Sequence, residues 1–313
     1  MTSVLREETV VLDEDHIHLV RGGEGPPVLL LHGYPQTHRA WMGVAERLAD
    51  AFTVILPDLP GYGRSRGPVP DPHHAAYSKR RLAASLLTLM HRLGHNRFHL
   101  AGHDRGGRVG YRLCLDHPDA VQRFAAVDIV PTAEAWAAID AHAALRTHHW
   151  SFLALPPPLP ERMIGADPDL YIGHLLDTWA GRPDALHPED RHAYLAQFRD
   201  PAVVAATCAD YRAGATVDWA HDEADRATGR RIRCPTTVIW GTGYLGPLAP
   251  SPRSVWDRWC NNAVTETALD CGHFIPEEAP NACARALRAF FGAETVPRRS
   301  VSPRVKRDQL GSS

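Results

Sequence analysis

One nine-residue stretch, Leu100-Ala101-Gly102-His103-Asp104-Arg105-Gly106-Gly107-Arg108, constrains the fold of this chain more than any other. It has the spacing Gly-x-nucleophile-x-Gly of a nucleophile elbow, with aspartate where serine is more usual. Phe98-His99-Leu100 reads as a short strand and Val109 to Leu115 as a helix. Gly102, Gly106 and Gly107 have no Cβ, so a strand-to-helix turn can close tightly between those elements. Such a turn lifts the Asp104 side chain above a sheet, where a carboxylate can attack carbon and form an ester with the protein. Arg105 and Arg108 flank it, and that pairing points to a substrate which is itself an anion.

The rest of the chain supplies a sheet for the turn to stand on. Pro27 to Leu31, Phe52 to Leu56, Phe98 to Leu100 and Phe124 to Val127 are short apolar runs, with a periodic helix from Ser78 to Leu93 between the second and third. Continuous apolar runs of this length suit parallel strands buried on both faces, and their alternation with helices predicts a parallel sheet wrapped by helices. At 313 residues the chain can hold one large α/β domain with an insertion, or two small domains. From Pro131 to about Ala215 strand signals vanish and helical stretches rich in Ala, Trp, His and Arg take over, broken by Pro156-Pro157-Pro158 and Pro160. The pattern predicts a core over residues 1–130, a helical cap over 131–215 and a second core part over 216–292. That second part takes strands at Pro235 to Trp240 and Val264 to Leu269 and a helix from Asn281 to Phe291. Residues 293–313 are basic and poor in apolar groups, and read as a disordered tail.

Composition excludes several function classes. A formal net charge of −2 provides no basic field to hold nucleic acid. There is no signal-peptide core at the N-terminus and no run of about 18 apolar residues, so no membrane partner is expected and a cytoplasmic location is. The six cysteines lie far apart without a CxxC pair and read as free, mostly buried thiols. Among the 19 histidines, the doublets His73-His74 and His148-His149 and the pair His16/His18 lack metal-binding helical placement. Most are assigned surface or packing roles.

A literal search also finds Gly63-Arg64-Ser65-Arg66-Gly67, but Pro68, Pro70 and Pro72 follow at once, and an elbow must open into a helix. Asp58 to Gly63 reads instead as the loop after the second apolar run. For Asp104 a partner histidine is supplied by Asp270-Cys271-Gly272-His273-Phe274, after the last strand signal. The usual place for the orienting acid, Trp240 to Gly246, holds no carboxylate. Asp128, at the end of the strand before the insertion, replaces it and can orient His273 through the second ring nitrogen. Asp257 reads as a helix-surface residue.

With those residues identified, the chain resembles the fluoroacetate (haloacetate) dehalogenases of the α/β-hydrolase superfamily from about Val10 to Phe291. The resemblance rests on His32-Gly33-Tyr34-Pro35-Gln36, Gly61-Tyr62-Gly63, Gly102 to Arg108, and Asp128-Ile129-Val130-Pro131-Thr132. In the insertion it continues through His149-Trp150, Ile164 to Asp169, and Asp210-Tyr211-Arg212-Ala213-Gly214. It implies an α/β-hydrolase fold in which Asp104 displaces halide and His273, held by Asp128, activates water to hydrolyse the ester. Arg105 and Arg108 would hold the substrate carboxylate. His149, Trp150 and Tyr211 would donate to the departing halide, and the backbone N–H groups of Tyr34 and Arg105 would form the oxyanion hole. It implies a homodimer, a small haloacid as the only partner, and no metal or organic cofactor. Two departures stand near the pocket or its mouth: Pro60 where arginine is frequent, and Tyr34 where phenylalanine is common.

Two rival readings use the same residues. An epoxide hydrolase would need cap tyrosines to protonate the epoxide oxygen, for which Tyr171, Tyr194 and Tyr211 are available. A neutral epoxide, however, gives two arginines nothing to bind. A non-catalytic ligand-binding module could dispense with a nucleophile, base or acid, yet Asp104, His273 and Asp128 are all present.

Overall fold

The computed structural model describes residues 5–246 and 251–293. Its strands are β1 (Arg6–Val11), β2 (His16–Gly22), β3 (Pro27–Leu31), β4 (Thr53–Pro57), β5 (Phe98–His103), β6 (Val121–Val127), β7 (Thr236–Gly241) and β8 (Thr265–Leu269). They form one sheet in the order β1-β2-β4-β3-β5-β6-β7-β8. β3 to β8 run parallel, while β1 pairs antiparallel with β2 and β2 with β4. The two antiparallel strands were not expected from the sequence. β1 alternates Arg-Glu-Glu-Thr-Val-Val with no residue fully buried, so an edge strand there looks like a polar leader.

Alternation along the central strands builds a core on each face. Leu29, Leu31, Leu100 and Phe124 pack on one side, against α2 (Lys79–Arg92) and α3 (Asp104–Asp116). Val28, Leu30, Ala101 and Ala125 pack on the other, against α1 (Met42–Leu48) and the C-terminal helix. In α2 the apolar residues Leu82, Leu86 and Leu89 repeat at helical spacing and are buried, and the Ser78 side chain caps its N-terminus by accepting from the Arg81 N–H.

Between β6 and β7 the chain makes eight helices: α4 (Thr132–Ala137), α5 (Ala141–Arg146), α6 (His148–Leu153), α7 (Leu159–Ala166), α8 (Pro168–Trp179), α9 (Pro188–Gln197), α10 (Pro201–Ala215) and α11 (Val217–Ala227). The helical run continues past Ala215, where the sequence placed its boundary, because Asp218, Asp222 and Asp225 of α11 are buried against basic groups of α2 and α3. Three further helices follow, α12 (Pro252–Trp256), α13 (Ile275–Glu278) and α14 (Pro280–Phe291). All six cysteines are free thiols. No helix among the described residues is long and apolar enough to cross a membrane. The expected disordered tail falls, apart from Ala293, outside the described residues.

Candidate active site

The turn from β5 into α3 is tighter than the sequence reading had it, since the helix starts at Asp104 itself. Asp104 sits at φ +44, a left-handed conformation that non-glycine residues hold only when the surroundings over-determine it. Those surroundings are close-packed backbone. A Cβ on Gly106 would lie 2.4 Å from the His32 carbonyl oxygen, and one on Gly33 would lie 2.5 Å from the Asp104 Cβ. Ser65 of the rejected motif is instead a buried pin, donating to the Asp58 carbonyl at 2.8 Å and accepting from the His18 N–H at 2.9 Å.

Asp104 Oδ2 accepts the Tyr34 backbone N–H at 2.9 Å. The His32 ring fixes that loop by accepting the Leu59 N–H on Nε2 at 2.9 Å, so its Nδ1 donates to the Gly33 carbonyl, also at 2.9 Å. On the other side His273 Nδ1 is 2.6 Å from Asp128 Oδ2, and Asp128 Oδ1 accepts the Gly241 N–H at 2.9 Å. Asp128 is itself held at φ +53. The neighbouring His103 ring approaches His273 to 4.6 Å and bonds its carbonyl through Nε2 at 2.8 Å. Burial pushes the His103 pKa down to about 3, so the ring is neutral and donates that bond.

Electrostatics separates the two acids. Burial works against the charge of both. At Asp104 it is outweighed by His273, Arg105 and Arg108, which bring the carboxyl below its ordinary value. At Asp128 burial wins over the His273 hydrogen bond and the pKa rises.

Asp104, Arg108, His149, Trp150 and His273 share the wall of one cavity of about 100 Å³. That is small beside drug-sized ligand pockets of roughly 300–1,000 Å³. The two arginines prove unlike. Arg105 Nε binds Asp210 Oδ2 at 2.7 Å, its Nη2 binds the Asp210 carbonyl at 2.8 Å, and its guanidinium lies 4.1 Å above the Tyr211 ring. It is a paired cation behind the cavity wall rather than in it. Arg108 is buried too, but among the described residues it forms no salt bridge, and the carboxylate whose charge it feels is Asp104. Its Nη1 bonds the Val130 carbonyl at 3.1 Å and Thr132 Oγ1 at 3.2 Å, its Nε has no partner among the described residues, and it stacks 4.5 Å from the Trp150 ring. Burial and the charge of Arg105 both lower its pKa.

His149 Nδ1 is a second buried atom in this wall without a hydrogen-bond partner among the described residues. Burial holds the ring well below its ordinary pKa, so it is neutral and carries one N–H. Tyr211 and the Tyr34 side chain stand one layer back, with Tyr211 5.7 Å from His149 and 6.4 Å from Trp150 between ring centroids. Two aromatic wall residues, Trp179 and Tyr244, were missed from the sequence. Trp179 lies 4.4 Å from His149 and Tyr244 lies 4.2 Å from His273 between ring centroids. An aromatic residue in a cap helix or a glycine-rich loop carries no sequence signal that separates lining from packing. Of the three tyrosines considered for an epoxide, none is in the wall; Tyr194 bonds Glu277 at 3.1 Å.

Comparison with known proteins agrees with the fold. The alpha/beta hydrolase fold profile matches residues 26–280. A fluoroacetate dehalogenase from Burkholderia sp. is 44% identical over 88% of this chain and 90% of its own. A solved structure from Nostoc sp. PCC 7120, described as a candidate alpha/beta hydrolase, superposes with a TM-score of 0.88 at 43% identity, covering 92% of this chain and 98% of that one. A candidate epoxide hydrolase from Pseudomonas aeruginosa superposes at 0.87 with 44% identity, covering 92% and 95%. The chain therefore belongs to the α/β-hydrolase family, among the relatives of the Burkholderia fluoroacetate dehalogenase.

Proposed function

We propose that the chain hydrolyses the carbon–halogen bond of small haloacetates, releasing halide and glycolate. The observation that carries this reading is Arg108, a buried guanidinium that forms no salt bridge among the described residues and stands in the wall of a small cavity that also holds Asp104. A buried charge is tolerated when it is paired, and a carboxylate-bearing ligand supplies the missing partner. The identity to a fluoroacetate dehalogenase supports the same substrate class.

In the proposed reaction Asp104 Oδ1, the oxygen not held by Tyr34, attacks the carbon next to the substrate carboxylate from behind the carbon–halogen bond. A carbon–oxygen bond forms, the carbon–halogen bond breaks, and halide leaves with the electron pair. N–H donation from His149 and Trp150, with Tyr211 behind them, stabilises the departing halide. His273 then takes a proton from water through Nε2 while Asp128 holds Nδ1, and the hydroxide adds to the Asp104 ester carbonyl. The Tyr34 N–H, already on Oδ2, donates to the oxyanion, with the Arg105 N–H as second donor. Collapse expels the glycolate oxygen, which takes the proton from His273, and the carboxyl left on Asp104 gives its remaining proton to solvent by way of His273, restoring the carboxylate and releasing one proton per turnover. Arg105 acts by keeping Asp104 ionised and by fixing Tyr211.

The epoxide reading draws support from the Pseudomonas relative and from Tyr244, the one tyrosine in the wall. Assaying fluoroacetate and chloroacetate for halide release, beside a neutral epoxide and a neutral haloalkane, separates the two. Turnover of the acids with little of the neutral compounds is expected. Turnover of the epoxide alone overturns the proposal.

A further inference from the structure

A second cluster of ligating side chains lies away from this cavity. Glu7, His18 and His38 each offer one ligand atom, and the three atoms lie within 4.8 Å of one another. Their placement follows from the sheet. Glu7 on β1 faces Val20, so His18 on β2 is its diagonal neighbour on the same face of the antiparallel pair. His38 arrives from the short turn that follows the Tyr34 loop, and its ring stands 5.1 Å from that of His18.

Two observations distinguish this cluster from a chance meeting of polar residues. His18 is 1% exposed, yet among the described residues its Nε2 has no hydrogen-bond partner and lies 4.0 Å from Glu7 Oε2. His38 is oriented from behind, because the fully buried Asp58 accepts its backbone N–H at 2.7 Å and bonds its Nδ1 at 2.8 Å through a single oxygen. A carboxylate on one imidazole nitrogen, leaving the other free to ligate, is the usual outer support of a metal-binding histidine.

We infer that Glu7, His18 and His38 form a binding site for one divalent ion of the zinc class, with Asp58 orienting His38. Two imidazoles and one carboxylate suit zinc and its neighbours, with solvent as fourth ligand, whereas magnesium and calcium demand mostly oxygen. Closing the donors onto an ion requires Glu7 to move, and Glu7 is the exposed member. Its present partner is Arg64, whose Nη1 lies 2.6 Å from Oε2, an ion pair in which both side chains are more than half exposed. Such a pair is weak. Arg64 and the metal therefore compete for one carboxylate. A bound ion would tie the β1–β2 pair to the turn at His38 and to the Asp58 loop, and so would act as a staple on the fold rather than as part of the proposed reaction.

The test uses the full untagged chain stripped with EDTA, equilibrium dialysis against zinc chloride or magnesium chloride with metal quantification, and thermal melts. One zinc per chain, a raised melting temperature with zinc and no retention of magnesium are expected. His18→Gln should lose that equivalent, and the exposed Glu7→Gln should weaken it by at least about tenfold while leaving the metal-free melt unchanged. Arg64→Ala should tighten it. A chain that retains no zinc, or one in which both Glu7→Gln and Arg64→Ala bind zinc as the wild type does, overturns the inference. Because the readouts are binding and melting, failure here leaves the proposed reaction untouched, and the converse holds.

Discussion

At the scale of single residues, the contrast between Arg105 and Arg108 decides most. Both were visible in the sequence as flanks of Asp104, but nothing in it could say which would be paired within the protein. The partner of Arg105 is Asp210, 105 positions away on α10, which also binds Lys79 and the Tyr62 hydroxyl. Breaking that buried set leaves uncompensated charge, so Arg105→Gln should cost roughly 3–5 kcal/mol in a urea titration. Arg108→Gln should cost far less stability, because no ion pair is broken. It should instead lower kcat/KM for haloacetates by roughly 10- to 100-fold, in line with about 1.5–3 kcal/mol for a hydrogen bond to a charged group. An Arg108→Gln enzyme with unaltered kcat/KM would remove the basis for an anionic substrate. The pairing of His273 with Asp128 beside Asp104 was the most legible part of the candidate site. Its acid had to be sought at Asp128 once the loop at Trp240 offered none, and Asp128 Oδ2 stands 2.6 Å from His273.

At the scale of elements, α3 carries Asp104 at its first residue and Arg108 one turn later, so the helix fixes the separation of the proposed nucleophile and the proposed anion-binding arginine. Its next turn holds that arginine in place. The Tyr111 hydroxyl bonds Thr132 Oγ1 at 2.9 Å and Asp222 Oδ2 at 2.8 Å, while Thr132 Oγ1 in turn accepts from Arg108. Tyr111→Phe should therefore raise KM for haloacetate more than it lowers kcat, and cost about 1 kcal/mol of stability, checked by steady-state kinetics and denaturation. A KM that does not move would show that Arg108 is held by its other contacts alone. The buried strands β3 to β7 were legible because apolar runs are what a two-sided sheet demands. β1 was not, because an edge strand with one solvated face need not look apolar. The start of α3 was hidden by Gly106 and Gly107, poor helix formers kept for close backbone approach at the elbow.

At the scale of the whole molecule, stability should depend on pH through histidines buried in the neutral form. Burial lowers His99 to about 4 and His103 to about 3, from an ordinary value of 6.5, and depresses His149 as well. The unfolded chain binds these protons first, so stability is full above about pH 6.5 and falls as pH drops from there toward the folded values, by about 1.4 kcal/mol per pH unit for each group. Urea titrations between pH 7 and 4 should show that decline, and His99→Gln, remote from the cavity, should make it shallower. A decline confined to pH below 4 would assign it to carboxylates instead.

The central claim is that Asp104 attacks carbon and is then regenerated by water. It is tested by one turnover of chloroacetate with enzyme in excess, in water enriched in heavy oxygen. If Asp104 is the nucleophile, the glycolate from that turnover carries an ordinary oxygen from the carboxylate, and the heavy oxygen is found in the peptide containing Asp104. Heavy oxygen in the first glycolate, with an unlabelled Asp104, would mean that water attacks the substrate directly and would contradict the account.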